Sequence, residues 1–269
     1  MMITIFTIAG SAVYAAEIPV SDQDQLITSR DWTEISNLQD EMKKEEPDAT
    51  IDYDKALKVY VDCNLIKLQT ADTKKLTSAL ESANYVWVIP FKMEKTYGMF
   101  TVAKGLPLSE EAKSVLTKAE QEEVKNHAGK WMITETAEHT VEPYYDILLE
   151  KREALSDCTR VVLVGSQPGM RQPVALGMDD ETARIWISLG YQYPVMEKIP
   201  ETQNVESGVY SFDSVAEISD TYIEDSEVST GAGVQSRSSM KYVAGIGIIV
   251  IGSILILSVL KKKKLEDYE

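Results

Sequence analysis

The chain has 269 residues and a formal net charge of −16, with 43 Asp and Glu against 27 Lys and Arg. A surface this acidic repels phosphate backbones and anionic lipid headgroups, which argues against nucleic acid as a partner and leaves cationic ligands, metal ions and basic protein surfaces open. With two cysteines and no Cys-x-x-Cys, redox catalysis has no support, and no cofactor is expected.

Met2 to Tyr14 is uncharged and largely apolar, and Val13-Tyr14-Ala15 before Ala16 offers the small residues at −3 and −1 that signal peptidase accepts. Residues 1–15 therefore read as a signal peptide. No Lys or Arg precedes the apolar run, so the start lies inside a longer signal; the alternative is an uncleaved N-terminal anchor.

Residues 16–200 are long enough for one good core. Ser29 is placed to cap a helix over Asp31 to Glu46 that turns Trp32, Ile35, Leu38 and Met42 to one side. Ala56 to Val61 alternates as a strand, and Asp72 to Ser82 reads as a helix. Tyr85 to Phe91 and Gly98 to Ala103 form a hairpin in which Pro90 predicts an edge or a strand end. Ser109 to Asn126 is helical, and the capping-box pattern Thr117-Lys118-Ala119-Glu120 predicts two short helices with a kink. Trp131 to Ala137 reads as a strand, Pro143 to Leu155 as a helix and Arg160 to Gly165 as a buried strand. Gln172 to Met178 and Ala183 to Leu189 make a second hairpin around Asp179-Asp180-Glu181. Strands in hairpins, without regular βαβ alternation, predict an α+β domain: a largely antiparallel mixed sheet with helices on one face.

Residues 201–240 carry Ser, Thr, Glu, Asp and Gly without sustained periodicity and read as an acidic disordered stalk; Val209 to Phe212 is the one segment with the pattern of a docked strand. Tyr242 to Leu260 is then uncharged over nineteen residues, about 28 Å as a helix, and is followed by Lys261 to Lys264. This predicts one C-terminal transmembrane helix over 241–260, with 261–269 as a short cytoplasmic tail and the domain outside the membrane, because positive charge is retained on the cytoplasmic side.

No catalytic pattern emerges. Gly165-Ser166-Gln167-Pro168-Gly169-Met170-Arg171 follows a buried strand, and its glycines could turn backbone N–H groups around an anion with Arg171 supplying charge. Gly165, Ser166, Gln167, Gly169 and Arg171 are thus the candidate ligand-binding residues, against the alternative of a wide turn. The segment lacks both the Gly-Lys-Ser/Thr ending of a phosphate loop and the Gly-x-Ser-x-Gly elbow of a serine hydrolase. His127 and His139 neighbour no nucleophile motif and lack the spacing of a zinc pair. The acidic clusters Asp48, Asp52, Asp54 and Asp179, Asp180, Glu181 lack EF-hand order, so no metal is expected. Cys63 and Cys158 each flank a strand, either as a disulfide or as two buried thiols.

The sequence thus predicts a single-pass cell-membrane protein of the cell envelope, with an extracytoplasmic domain that binds a protein or small-molecule ligand as an accessory or sensor component of a membrane complex. The alternatives are an extracytoplasmic hydrolase with a dispersed site and a structural envelope protein.

Overall fold

The computed structural model describes residues 18–219, apart from 140, 141, 166, 168, 169, 171, 192, 202 and 203. The expected signal, transmembrane helix and tail, and the expected stalk from residue 220 on, lie outside these residues. No helix among the described residues is long and apolar enough to cross a membrane.

Helices α1 (Trp32–Ile35) and α2 (Gln39–Glu45) continue each other through a tight turn, and Ile35 and Met42 are fully buried on one side as their spacing requires. Strands β1 (Thr50–Ile51) and β2 (Leu57–Tyr60) follow, then α3 (Thr73–Glu81), whose first turn is capped by the Asp72 carboxylate accepting from Lys75 N at 3.1 Å. The hairpin β3 (Tyr85–Lys92) and β4 (Tyr97–Lys104) leads to α4 (Glu110–Val115) and α5 (Lys118–His127). The kink between these helices is the predicted capping box: Thr117 accepts from Glu120 N while the Glu120 carboxylate accepts from Thr117 N at 2.7 Å. Next come β5 (Trp131–His139), α6 (Tyr144–Glu150), β6 (Arg160–Val164), β7 (Val174–Met178), β8 (Ala183–Ser188), β9 (Asn204–Glu206) and β10 (Val209–Ser211), and last a helix over 212–219, α7.

All ten strands join one sheet in the order β5-β4-β3-β2-β6-β7-β8-β10-β9, with β1 added beside β3. Its strand pairs are antiparallel except β2 with β6, where Val59 lies beside Leu163 and Tyr60 beside Val164. Two antiparallel groups, the meander β2 to β5 and the meander β6 to β8 with the β9–β10 pair added through β10, are therefore joined along one parallel seam. A parallel pair cannot be closed by a hairpin, and here the crossover runs through the whole first meander and α6.

Period-two alternation divides the core. Along β6, Val162 and Val164 enter one cluster and Val161 and Leu163 another; β7 and β8 divide in the same way. The first face carries two clusters side by side, one under α3 and α7 and one under α1 and α2 against β3 to β5. The second face is covered by Tyr144 and Leu148 of α6 with Ile18 and Val20. The mixed, mostly antiparallel sheet is as predicted, but helices cover both faces. The helix that immediately precedes β6, α6, is the one that packs on the second face, and nothing in its periodicity says which side of the sheet it takes.

Two further expectations are corrected. Pro90 lies inside β3, a central strand, and not at an edge or end. β2 pairs with β3 as far as Val88, and β1 takes over at Phe91. The Pro90 carbonyl accepts from Asp52 N at 2.9 Å, so the side of the residue without an N–H faces the join between the two neighbours, where a missing donor costs least. The boundary at residue 200 also falls inside the fold. β10 pairs with β8 from Val209 to Ser211, and α7 buries Phe212 and Val215.

Candidate functional site

The loop after β6 is held by its own side chain. Gln167 is buried, its carbonyl oxygen accepts from Leu65 N at 3.0 Å, and its amide donates to the carbonyls of Cys63 (2.6 Å) and Gly165 (3.1 Å). Those bonds use both N–H donors of the amide and one lone pair of its oxygen, so Gln167 fastens the loop to the chain after β2. Gly165 donates to Tyr60 O at 2.7 Å, continuing the parallel seam by one bond. Ser166, Gly169 and Arg171 lie outside the described residues.

Cys63 and Cys158 are free thiols packed in clusters on opposite faces of the sheet. Burial pushes Cys63 up to about 12 and Cys158 up to about 11, so neither is a nucleophile at neutral pH. Asp179 accepts from Glu181 N, Thr182 N and Arg184, which makes it the organiser of the β7–β8 turn. Among the described residues no group of three His, Cys, Asp or Glu is placed to hold a metal ion.

Two features of the first face stand out. One is a charged seam between its two clusters. Asp24, 2% exposed, accepts from Ser21 Oγ at 2.6 Å, Tyr60 OH at 2.8 Å and Arg160 Nη2 at 3.0 Å, with Lys58 Nζ at 3.5 Å. Asp31 accepts from Tyr85 OH at 2.8 Å and Trp87 Nε1 at 3.1 Å. The Lys58 ammonium lies 4.6 Å from the Tyr85 ring centroid and 5.3 Å from that of Trp87. Burial lowers the Lys58 pKa, and Asp24 opposes that shift. For Asp24, burial alone would raise the pKa; the Ser21 hydroxyl, Arg160 and Tyr60 outweigh it and hold the carboxyl below its ordinary value. Both acids are committed to buried donors, and the seam fastens residues 21–31 to the sheet. Its signal in the sequence is Lys58 itself, a lone charge inside an otherwise apolar strand.

The other feature is a cleft of about 260 Å³ between the segment 66–71 and α7. Its apolar floor is made by Ile66, Ala71, Phe212 and Ala216, and Phe212 is backed by Trp186, with ring centroids 5.8 Å apart and planes 14° from parallel. Asp213 and Glu217, one helical turn apart on α7 and both exposed, form one wall. Gln69, in the left-handed conformation (φ 48°, ψ 40°), and Thr70 form the opposite rim. Reading residues after 200 as stalk hid this cleft, because half of it belongs to α7.

No protein family, curated protein or solved structure matches the chain.

Proposed function

We propose that this is a membrane-tethered extracytoplasmic domain that binds a ligand or partner, as an accessory or sensor component of a membrane complex, and that the cleft beside α7 is its binding surface. The observation that supports this reading is the position of the cleft. One wall is the last described helix, which leads along the chain toward the apolar segment 242–260, so an occupant of the cleft touches the element nearest in sequence to the proposed anchor. The opening is lined by an apolar floor and a few polar groups, the usual composition of a recognition site. The seam acids, by contrast, are engaged by internal donors that fasten residues 21–31 to the sheet.

The test uses the full chain in intact host cells. Val115→Cys, at an exposed position, is labelled by a membrane-impermeant maleimide, whereas Lys262→Cys reacts only after lysis. A photo-reactive residue at Gln69 forms an adduct of defined mass, and one at Val115 does not. Labelling of Val115→Cys only after lysis would overturn the topology, and equal adducts at the two positions, or none, would overturn the binding surface.

A further inference from the structure

We propose that the outer edge of β5 is an interface occupied by a second copy of this chain, strand against strand and antiparallel, so that the sheets of the two copies become continuous. β5 ends the sheet, and among the described residues no strand pairs with its outer side. Main-chain groups on such an edge are a template for another strand, and proteins blunt them with short edge strands, Pro or Lys. The opposite end of the sheet is blunted in this way by β9, which has three residues. β5 runs from Trp131 to His139 and holds neither Pro nor Lys. Its one interruption is a bulge at Thr134, since Ile133 lies beside Val102 and Glu135 beside Thr101.

The charges at this edge select the occupant. The chain carries −16, so most of its surface repels a second copy. Along β5 the signs are divided. Lys130 precedes the strand, and Lys104 lies opposite Trp131 with its ammonium 5.5 Å from the indole centroid; Glu135 and Glu138 come later. All four are exposed. A two-fold antiparallel pairing sets the basic end of each copy against the acidic end of the other, twice. The bulge lets the faces agree. Trp131 and Ile133, before it, belong to the cluster under α1 and α2, and after it Thr136 pairs with Phe100 of that cluster and Glu138 with Gly98 on the same face. Glu138 of one copy thus stands opposite Trp131 of the other, within reach of the other copy's Lys104. Glu135 is on the second face, and its carboxylate turns back toward Thr101 Oγ1 at 3.5 Å, which keeps the two Glu135 groups apart.

The experiment is sedimentation of the full chain in density-matched detergent over a wide range of concentration, with amide hydrogen exchange read at both ends of the range. The expected result is a monomer–dimer equilibrium in which exchange over 131–139 slows as the dimer forms, while exchange over 204–206 stays the same. Lys104→Glu and Glu138→Lys each weaken the dimer about tenfold, because each places like charges together at two symmetric positions, and the two changes in one chain restore it. Both replaced side chains are exposed, so the fold is kept. A monomer at every concentration overturns the proposal, including a monomer in which 131–139 is protected by another part of its own chain. A dimer that forms without slowing exchange over 131–139 overturns it as well and assigns association to another surface. So does a double variant that stays as weak as the single ones.

Discussion

Asp24 and Arg160, separated by 136 positions in the chain, meet at 3.0 Å where the two meanders join. The contact ties the N-terminal segment to the first strand of the second meander, with Lys58 and Tyr60 of the first meander bonded to the same carboxylate. Removing the charge takes away the carboxylate that Arg160 and Lys58 share and leaves Lys58 only Asp31 as an opposing charge. Asp24→Asn is therefore expected to lower the unfolding free energy by about 3 kcal/mol, near the lower limit for breaking a buried pair. Because the folded-state pKa lies below the unfolded one, the carboxylate stabilises the fold fully above about pH 4, and this contribution is lost as pH falls through the folded value. Urea midpoints at several pH values between neutral and strongly acid are expected to fall less steeply in Asp24→Asn than in the parent. Parallel curves would remove Asp24 from the acid response.

Gln167 provides a second test. In Gln167→Glu a carboxylate faces the carbonyls of Cys63 and Gly165, to which the amide donated. The expected loss is about 3 kcal/mol by urea denaturation, and Gln167→Ala, which leaves those groups unpaired, loses about 2 kcal/mol. A ligand-binding glutamine at the surface would show little change in either.

These two residues also mark how far the sequence is legible. The capping box at Thr117 and Glu120, the β3–β4 hairpin and the apolar side of α1 and α2 are written in neighbours a few positions apart, and local pattern finds them. Gln167 bonds to positions 65 and 63, and Asp24 to 60 and 160, so their roles exist only once the strands are in register. Residues 204–219 read as stalk because β9 and β10 are three residues each, too short to show a period, and their stability comes from pairing with β8. Half of the cleft was lost to sequence reading with them.

The two glycines Gly165 and Gly98 are expected to respond in opposite ways to alanine. A methyl group at Gly165 meets nothing closer than 3.7 Å, so Gly165→Ala is expected to change stability by less than about 1 kcal/mol. At Gly98 the same methyl group falls 2.1 Å from Cζ of Phe91, which packs against Phe100 at a centroid distance of 4.6 Å. Gly98→Ala is expected to cost about 2 to 3 kcal/mol, and Phe91→Leu in the same chain restores part of it, giving a non-additive double-mutant cycle by thermal unfolding. Additive losses would place the strain elsewhere than at Phe91.

The thiols give a chemical check on the sheet's two faces. Cys63 and Cys158 pack in clusters on opposite sides, so the expected result is two free thiols on unfolding and one mobility on gels with and without reductant. In the folded protein near pH 8 both react far more slowly than an exposed cysteine, because burial holds their pKa values at about 12 and about 11. A chain without titratable thiols after unfolding would mean that the two clusters are not separated by the sheet.

Trp186 and Phe212 decide where the domain ends. The Trp186 ring is fully buried on β8, and Phe212, the first residue of α7, stacks on it. A chain ending at residue 200 removes β9, β10 and α7, uncovers Trp186 and leaves the outer edge of β8 unpaired. It is expected to lose cooperative unfolding, while a chain ending at residue 219 keeps it, as read by tryptophan fluorescence through a urea series. Phe212→Ala in the longer chain is expected to cost about 3 to 4 kcal/mol, the usual range for deleting a buried phenyl ring. A cooperative transition in the chain ending at 200, with unchanged tryptophan emission, would return residues 204–219 to the stalk and dissolve the wall that Asp213 and Glu217 give to the cleft.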